Sequence, residues 1–194
     1  MTKIIGLTGG IGSGKTTIAN HLKSLGIPVY NSDEQAKKIL YLPETIKSLK
    51  SVFGNSIFSN NLLDKEKLSQ LVFNNQEQLE FLNQIIHPKV KIDFQKWLIA
   101  NNNSPLVIKE AAILFESGSY KDCDAVISIS APQEIRIQRV IERNHVNYDE
   151  VMSRINNQWT DEMREKKSDY VIDNQDIKIA CAQTENYIKI LLNY

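Results

Sequence analysis

The chain has 194 residues, 42% of them hydrophobic, and its 23 lysines and arginines balance 23 aspartates and glutamates. That length suits one domain with a substantial core, and a formal charge of zero excludes a global basic field for nucleic acid. Two cysteines without metal-ligand spacing, Cys123 and Cys181, argue against a disulfide framework and suit a reducing compartment. No apolar run reaches bilayer-spanning length, and a strand begins too early to leave room for a signal peptide, so a cytoplasmic protein is expected.

Lys3 to Thr8 reads as a first strand, apolar without alternation, as expected when helices cover both faces of a parallel sheet. Glycines at 9, 10, 12 and 14 follow, and apolar residues return at helical spacing in Ile18, Ala19 and Leu22, so a helix is predicted from about Gly14 to Ser24. Ile27 to Tyr30 forms a second strand closed by Asn31-Ser32-Asp33, with Ser32 or Asp33 placed to cap the helix that carries Ala36, Ile39 and Leu40. Pro43 opens another helical segment, and Gly54 to Asn61 is a polar loop with room for a short hairpin. From Asp64 to Ala100 the apolar residues recur at three and four, giving an almost wholly helical stretch that His87-Pro88 is expected to divide. Leu106 to Ile108 is a third strand ending in Lys109-Glu110, and Ala125 to Ile129 a fourth. Helices are predicted over Pro132 to Arg143 and Tyr148 to Asn157, then a fifth strand at Tyr170 to Ile172 and a final helix from Ile177 to Leu192. Five buried strands alternating with helices describe an α/β fold, a doubly wound parallel sheet with a helical insertion at about 60–100.

The stretch Gly9-Gly10-Ile11-Gly12-Ser13-Gly14-Lys15-Thr16 fits Gly-x4-Gly-Lys-Ser/Thr between strand and helix. Five of the eight glycines fall within the first fourteen residues, where they let consecutive amides converge on one anion at a helix N-terminus. Lys15 supplies a mobile charge for the β- and γ-phosphates, and the Thr16 hydroxyl suits Mg2+. Gly10, Ile11, Gly12, Ser13, Gly14, Lys15, Thr16 and Thr17 are therefore the expected nucleoside triphosphate contacts. Ligands of such sheets lie beyond the strand carboxyl ends, which here offer Asp33, Glu110, Asp173 and Asn174. Asp33 is suited to receive a proton from an acceptor hydroxyl, its plainer role being a helix cap. Glu110 is suited to act on Mg2+ through water, or to rest as a satisfied loop carboxylate.

Arg136, Arg139 and Arg143 recur at three and four, so their charges share one helical face, with Arg154 and Gln158 on the next segment. Such a cluster serves solubility, or closes over a triphosphate and excludes water. His87, followed by Pro88, Lys89 and Lys91, is either an acceptor-side group or a helix-boundary histidine; composition does not separate the two. There is no Asn-Lys-x-Asp pattern, which disfavours a GTPase switch.

The ordered set of motifs resembles the dephospho-coenzyme A kinase family over essentially the whole chain. It comprises Ile5 to Thr16, Asp33, His87-Pro88, Ile113-Leu114-Phe115-Glu116, Gln138-Arg139, Arg143, Arg154, Gln158 and Asp169 to Asn174. The resemblance implies a P-loop kinase that phosphorylates the ribose 3′-hydroxyl of dephospho-CoA with ATP and Mg2+, the last step of coenzyme A synthesis. It implies a nucleotide-binding core (about 1–59 and 101–194), an acceptor-binding helical insertion (about 60–100) and a mobile lid (about 139–150). By that resemblance Asp33 is the catalytic base, Arg139 a lid arginine reaching the phosphates with Arg143 on the same helix, and Asn174 part of the adenine side. Lys37, His87, Leu114, Phe115 and Glu116 match segments facing the acceptor. No membrane, nucleic-acid or obligate protein partner is expected. Departures from the family pattern are Asn31 and Glu110 where aspartate is usual, Lys37 for arginine, Ala112 for proline and Thr16 for the commoner serine. The alternatives carried forward are a kinase for another small nucleoside or nucleotide, and an ATP-binding regulatory protein without turnover.

Overall fold

The computed structural model describes residues 2–73 and 75–193. The chain divides into two compact units, one of Met1–Asn31 with Leu98–Tyr194 and one of Ser32–Trp97. The first contains a five-stranded sheet built from β1 (Lys3–Thr8), β2 (Val29–Asn31) and three later strands. Between β1 and β2 lies α1 (Lys15–Ser24).

The second unit holds α2 (Ser32–Ile39), α3 (Pro43–Phe53), a hairpin of β3 (Phe58–Ser59) and β4 (Leu62–Leu63), α4 (Lys65–Phe73) and most of α5 (Gln76–Ala100). Its core is Leu49, Phe53, Ile57 and Leu68, with Leu40, Leu71, Leu82 and Ile85 packed around them. Asn60 and Asn61, at φ of 50° and 62°, make the two-residue turn of the hairpin. Two expectations are corrected here. The helix after β2 starts at Ser32, so Asp33 lies inside its first turn rather than ahead of it as a cap. His87-Pro88 does not divide the long stretch: α5 runs through with Pro88 inside it. Proline removes one i→i−4 hydrogen bond, and the helix keeps its course because Ile86 and Phe94, one on each side, are 6% and 3% exposed.

The first unit resumes with β5 (Leu106–Glu110), a 3-10 turn at Ser119–Asp122, β6 (Ala125–Ser130), α6 (Gln133–Asn144), α7 (Tyr148–Asn156), α8 (Asp161–Glu165), β7 (Tyr170–Asp173) and α9 (Ile177–Asn193). The sheet order is β2-β5-β1-β6-β7 and every neighbouring pair is parallel. Ile5, Leu7, Ile108, Ile127 and Ile129 join Ile18 and Leu22 of α1 and Ala180 and Ile188 of α9 in one core. Val126 joins Leu114, Phe115 and Ala111 in another, and Gly6 makes room for it: a Cβ there would stand 2.7 Å from Leu114 Cδ2. Helices on both faces explain why the strands are apolar without alternation. The result is the expected α/β doubly wound sheet, with β1 at its centre delivering the glycine loop to the carboxyl edge. The helix α8, capped by the Thr160 hydroxyl accepting from Met163 N at 3.2 Å, was not anticipated.

Candidate active site

The loop leaves β1 at Thr8 and enters α1 at Lys15. Its turn closes with Ser13 N donating to Gly10 O at 3.1 Å, and α1 begins as Ile18 N donates to Gly14 O at 3.1 Å. Gly12 and Gly14 have φ of 79° and 94°, the left-handed region that favours glycine. A Cβ on Gly14 would also strike the Asn174 side-chain amide, and one on Gly12 the backbone of Arg136. Thr16 and Thr17 are exposed in the first turn of α1, and Gly10 and Ser13 are buried. A glycine-rich turn opening onto a helix N-terminus, with the positive end of the helix dipole behind it, is suited to an anion.

Three strand ends converge on that loop. Glu110, 3% exposed at the end of β5, accepts from Thr16 Oγ1 at 2.8 Å through one oxygen. Its other oxygen accepts from Asn31 Nδ2 at 2.8 Å, as the register Asn31↔Glu110 of β2 and β5 allows. Just past β7, Asn174 is 2% exposed, and its Nδ2 donates to Ser13 O at 2.7 Å. The residue expected on the adenine side is thus bonded to the loop backbone.

The arginines of α6 do not behave as one group. Arg136 is 3% exposed, and its Nη1 donates to both carboxylate oxygens of Asp161 at 2.7 and 2.8 Å. Arg139 is half-buried beside the loop: its Nη1 would lie 4.0 Å from a Cβ on Gly14 and has no hydrogen-bond partner among the described residues. Its Nη2 donates to Gln175 O at 3.4 Å. Arg143 is exposed, with Nε donating to Asn144 Oδ1 at 2.9 Å.

Leu114 and Phe115 are buried, and the Phe115 ring stacks on Trp159 at 5.8 Å. Glu116 accepts from Trp159 N at 3.1 Å and lies 3.7 Å from Arg164 Nη2. Burial lowers the Arg164 pKa, while Glu116 and Asp161 work to raise it. Sequence reasoning missed Arg136, Asp161 and Arg164 as a buried charge cluster. The available signal was Arg136 falling four residues before Val140, on the apolar stripe of α6.

Asp33, Lys37 and His87 belong to the second unit. Asp33 lies in the first turn of α2, two residues along the chain from Asn31; Lys37 is exposed in its last turn. His87 is partly buried in α5, and desolvation holds its pKa below the ordinary 6.5.

Comparison with known proteins gives the family. A family model described as dephospho-CoA kinase matches residues 3–179. The dephospho-CoA kinase of Fusobacterium nucleatum is 42% identical over 172 residues, covering 88% of this chain and 89% of that protein. A crystal structure of a Thermus thermophilus protein superposes with a TM-score of 0.90 at 31% identity, covering 98% of each chain. The dephospho-CoA kinase structure from Campylobacter jejuni gives a TM-score of 0.69 at 28% identity, over 97% of this chain and 98% of that one.

Proposed function

We infer the roles of individual residues from a firm premise: this chain belongs to the dephospho-CoA kinase family and catalyses the ATP-dependent phosphorylation of dephospho-CoA to coenzyme A. Gly10 to Thr17 cradle the triphosphate, with the loop amides on its oxygens and Lys15 on the β- and γ-phosphates. Arg139 answers the charge that develops on the transferred group, and Arg143 follows it on the same helix as a lid closes over about 139–150. The half-buried Arg139 guanidinium beside Gly14, with one nitrogen unpartnered among the described residues, supports the first of these roles. Asn174 supports the adenine side while anchoring Ser13.

The donor set fits Mg2+. The exposed Thr16 hydroxyl and the Glu110 carboxylate are hard oxygen ligands. No cluster of three or more His, Cys, Asp or Glu among the described residues builds a cage for any other metal. Thr16 would hold Mg2+, with Glu110 acting through water, and the ion would withdraw charge from the phosphate oxygens. Glu110 accepts from the Thr16 hydroxyl, and Asn31 steadies Glu110.

Asp33 is the base. It takes the proton of the ribose 3′-hydroxyl as that oxygen attacks the γ-phosphorus and the bond to the ADP oxygen breaks in line. What supports this assignment is chain position: Asp33 follows by two residues Asn31, which ends β2 and bonds to the Glu110 that accepts from Thr16. Lys37, His87, Leu114, Phe115 and Glu116 are the proposed acceptor contacts. Free Cys123 and Cys181 suit a reducing cytoplasm, and no helix among the described residues is long and apolar enough to cross a membrane.

The test is Asp33→Asn. Turnover falls about 10²- to 10⁴-fold, the usual worth of a positioned base, while ATP affinity stays within about twofold. Turnover near that of the wild type would remove Asp33 from the role.

A further inference from the structure

The glycine loop is gripped along one side by residues that phosphoryl transfer does not itself require. The backbone N–H of Ile11 donates to Gln158 Oε1 at 2.9 Å. The Ile11 side chain packs against the apolar cluster of Ile137, Val140 and Val151, which joins α6 to α7. On either side of Ile11, a Cβ on Gly10 would strike Arg136 Nη1, and one on Gly12 the Arg136 carbonyl oxygen. Arg136 is held in turn by Asp161, which also accepts from Arg164 Nη1 at 3.0 Å. Residues 10, 11 and 12 of the loop are thus fixed by α6 and by the segment that links α7 to α8.

We propose that Gln158, Arg136 and Asp161 form a brace that presets the loop for its triphosphate, and that α6 and α7 are tied to the loop through it. The proposal rests on the reading of Gly10 to Thr17 as the phosphate site. A glycine-rich loop loses much conformational freedom when it is ordered, so holding it in the binding shape beforehand lowers that cost at the moment of binding. Ile11 N–H, committed to Gln158, is the fixed point from which the following amides are aimed. Asp161 neutralises a guanidinium buried beneath the loop; without it the charge is stranded and Arg136 leaves its place. The helices so tied carry Arg139, Arg143 and Arg154, so a lid movement pulls on the loop and a bound triphosphate holds the lid. Gln158, Arg136 and Asp161 are positioning residues, since each acts through the loop.

Gln158→Met keeps the length of the side chain and removes the acceptor oxygen. In the nucleotide-free enzyme, hydrogen exchange at the Ile11 amide is expected to quicken about tenfold, and Gln158→Glu, which keeps an acceptor, to restore it. The dissociation constant for ATP, measured without acceptor, rises about five- to tenfold in Gln158→Met, while KM for dephospho-CoA changes less than about twofold. Asp161→Asn retains the shape and gives the same split, which keeps the proposal testable where one variant folds poorly. Unchanged exchange at Ile11 overturns the proposal, and so does faster exchange with unchanged ATP binding. Lys15→Ala separates the two readings: if it abolishes ATP binding while the brace variants bind normally, the brace fails and the phosphate site stands. If Lys15→Ala binds ATP like the wild type, the site reading falls and the brace with it.

Discussion

Glu110 shows how a buried carboxylate at a strand end is satisfied. It spans two donors, the Thr16 hydroxyl and the Asn31 amide, at 2.8 Å each. An aspartate at 31 would set a second carboxylate against it in a buried place, where like charges repel strongly. Asn31→Asp is therefore expected to lower the stability of the metal-free protein by about 1–3 kcal/mol in urea unfolding at neutral pH. Unchanged stability would show that the clasp is idle. The glycine loop between β1 and α1 was legible because phosphate chemistry demands particular residue types at fixed spacing, whereas Asp33 and Asn174 were named only from the strand ends they follow. The Arg136–Asp161 pair was not: the place of Arg136 on the apolar stripe of α6 hints at its burial, but its partner stands 25 positions away.

Elements followed the same logic. The buried parallel strands were visible as unbroken apolar runs, and α1, α6 and α9 as apolar stripes with a three-to-four spacing. Pro88 misled because an interior proline costs a helix about 3 kcal/mol, a penalty that local reasoning sees and the buried anchors Ile86 and Phe94 offset. The five-residue α8 escaped because it is too short to show a period. His87 gives α5 a pH signature. Burial disfavours its imidazolium form, so its folded pKa lies below 6.5 and the unfolded chain takes up the proton first as pH falls. The wild type is accordingly expected to lose stability as pH drops below 6.5, with no contribution from His87 above it. Urea unfolding of His87→Gln should show a shallower decline on the acid side; an identical decline would mean that the histidine is solvated in both states.

For the whole molecule, the sheet order β2-β5-β1-β6-β7 could not be read from the chain, because pairing of β1 with β5 is settled between segments about 100 residues apart. Doubly wound α/β architecture was legible all the same, since strand–helix alternation admits few parallel solutions. Architecture alone does not choose a reaction, and kinases of unrelated substrates share this sheet. The assignment rests on the family, with the site in keeping: a glycine loop packed against Arg136 and bonded to Glu110 and Asn174, in a chain that matches dephospho-CoA kinase across residues 3–179. The most direct measurement is to incubate the purified chain with Mg-ATP and dephospho-CoA and to resolve the products by mass. One ADP for each acceptor made heavier by a single phosphoryl group, located on the ribose 3′-oxygen, is the expected result. ADP released with dephospho-CoA unchanged, or phosphorylated elsewhere, would contradict the account.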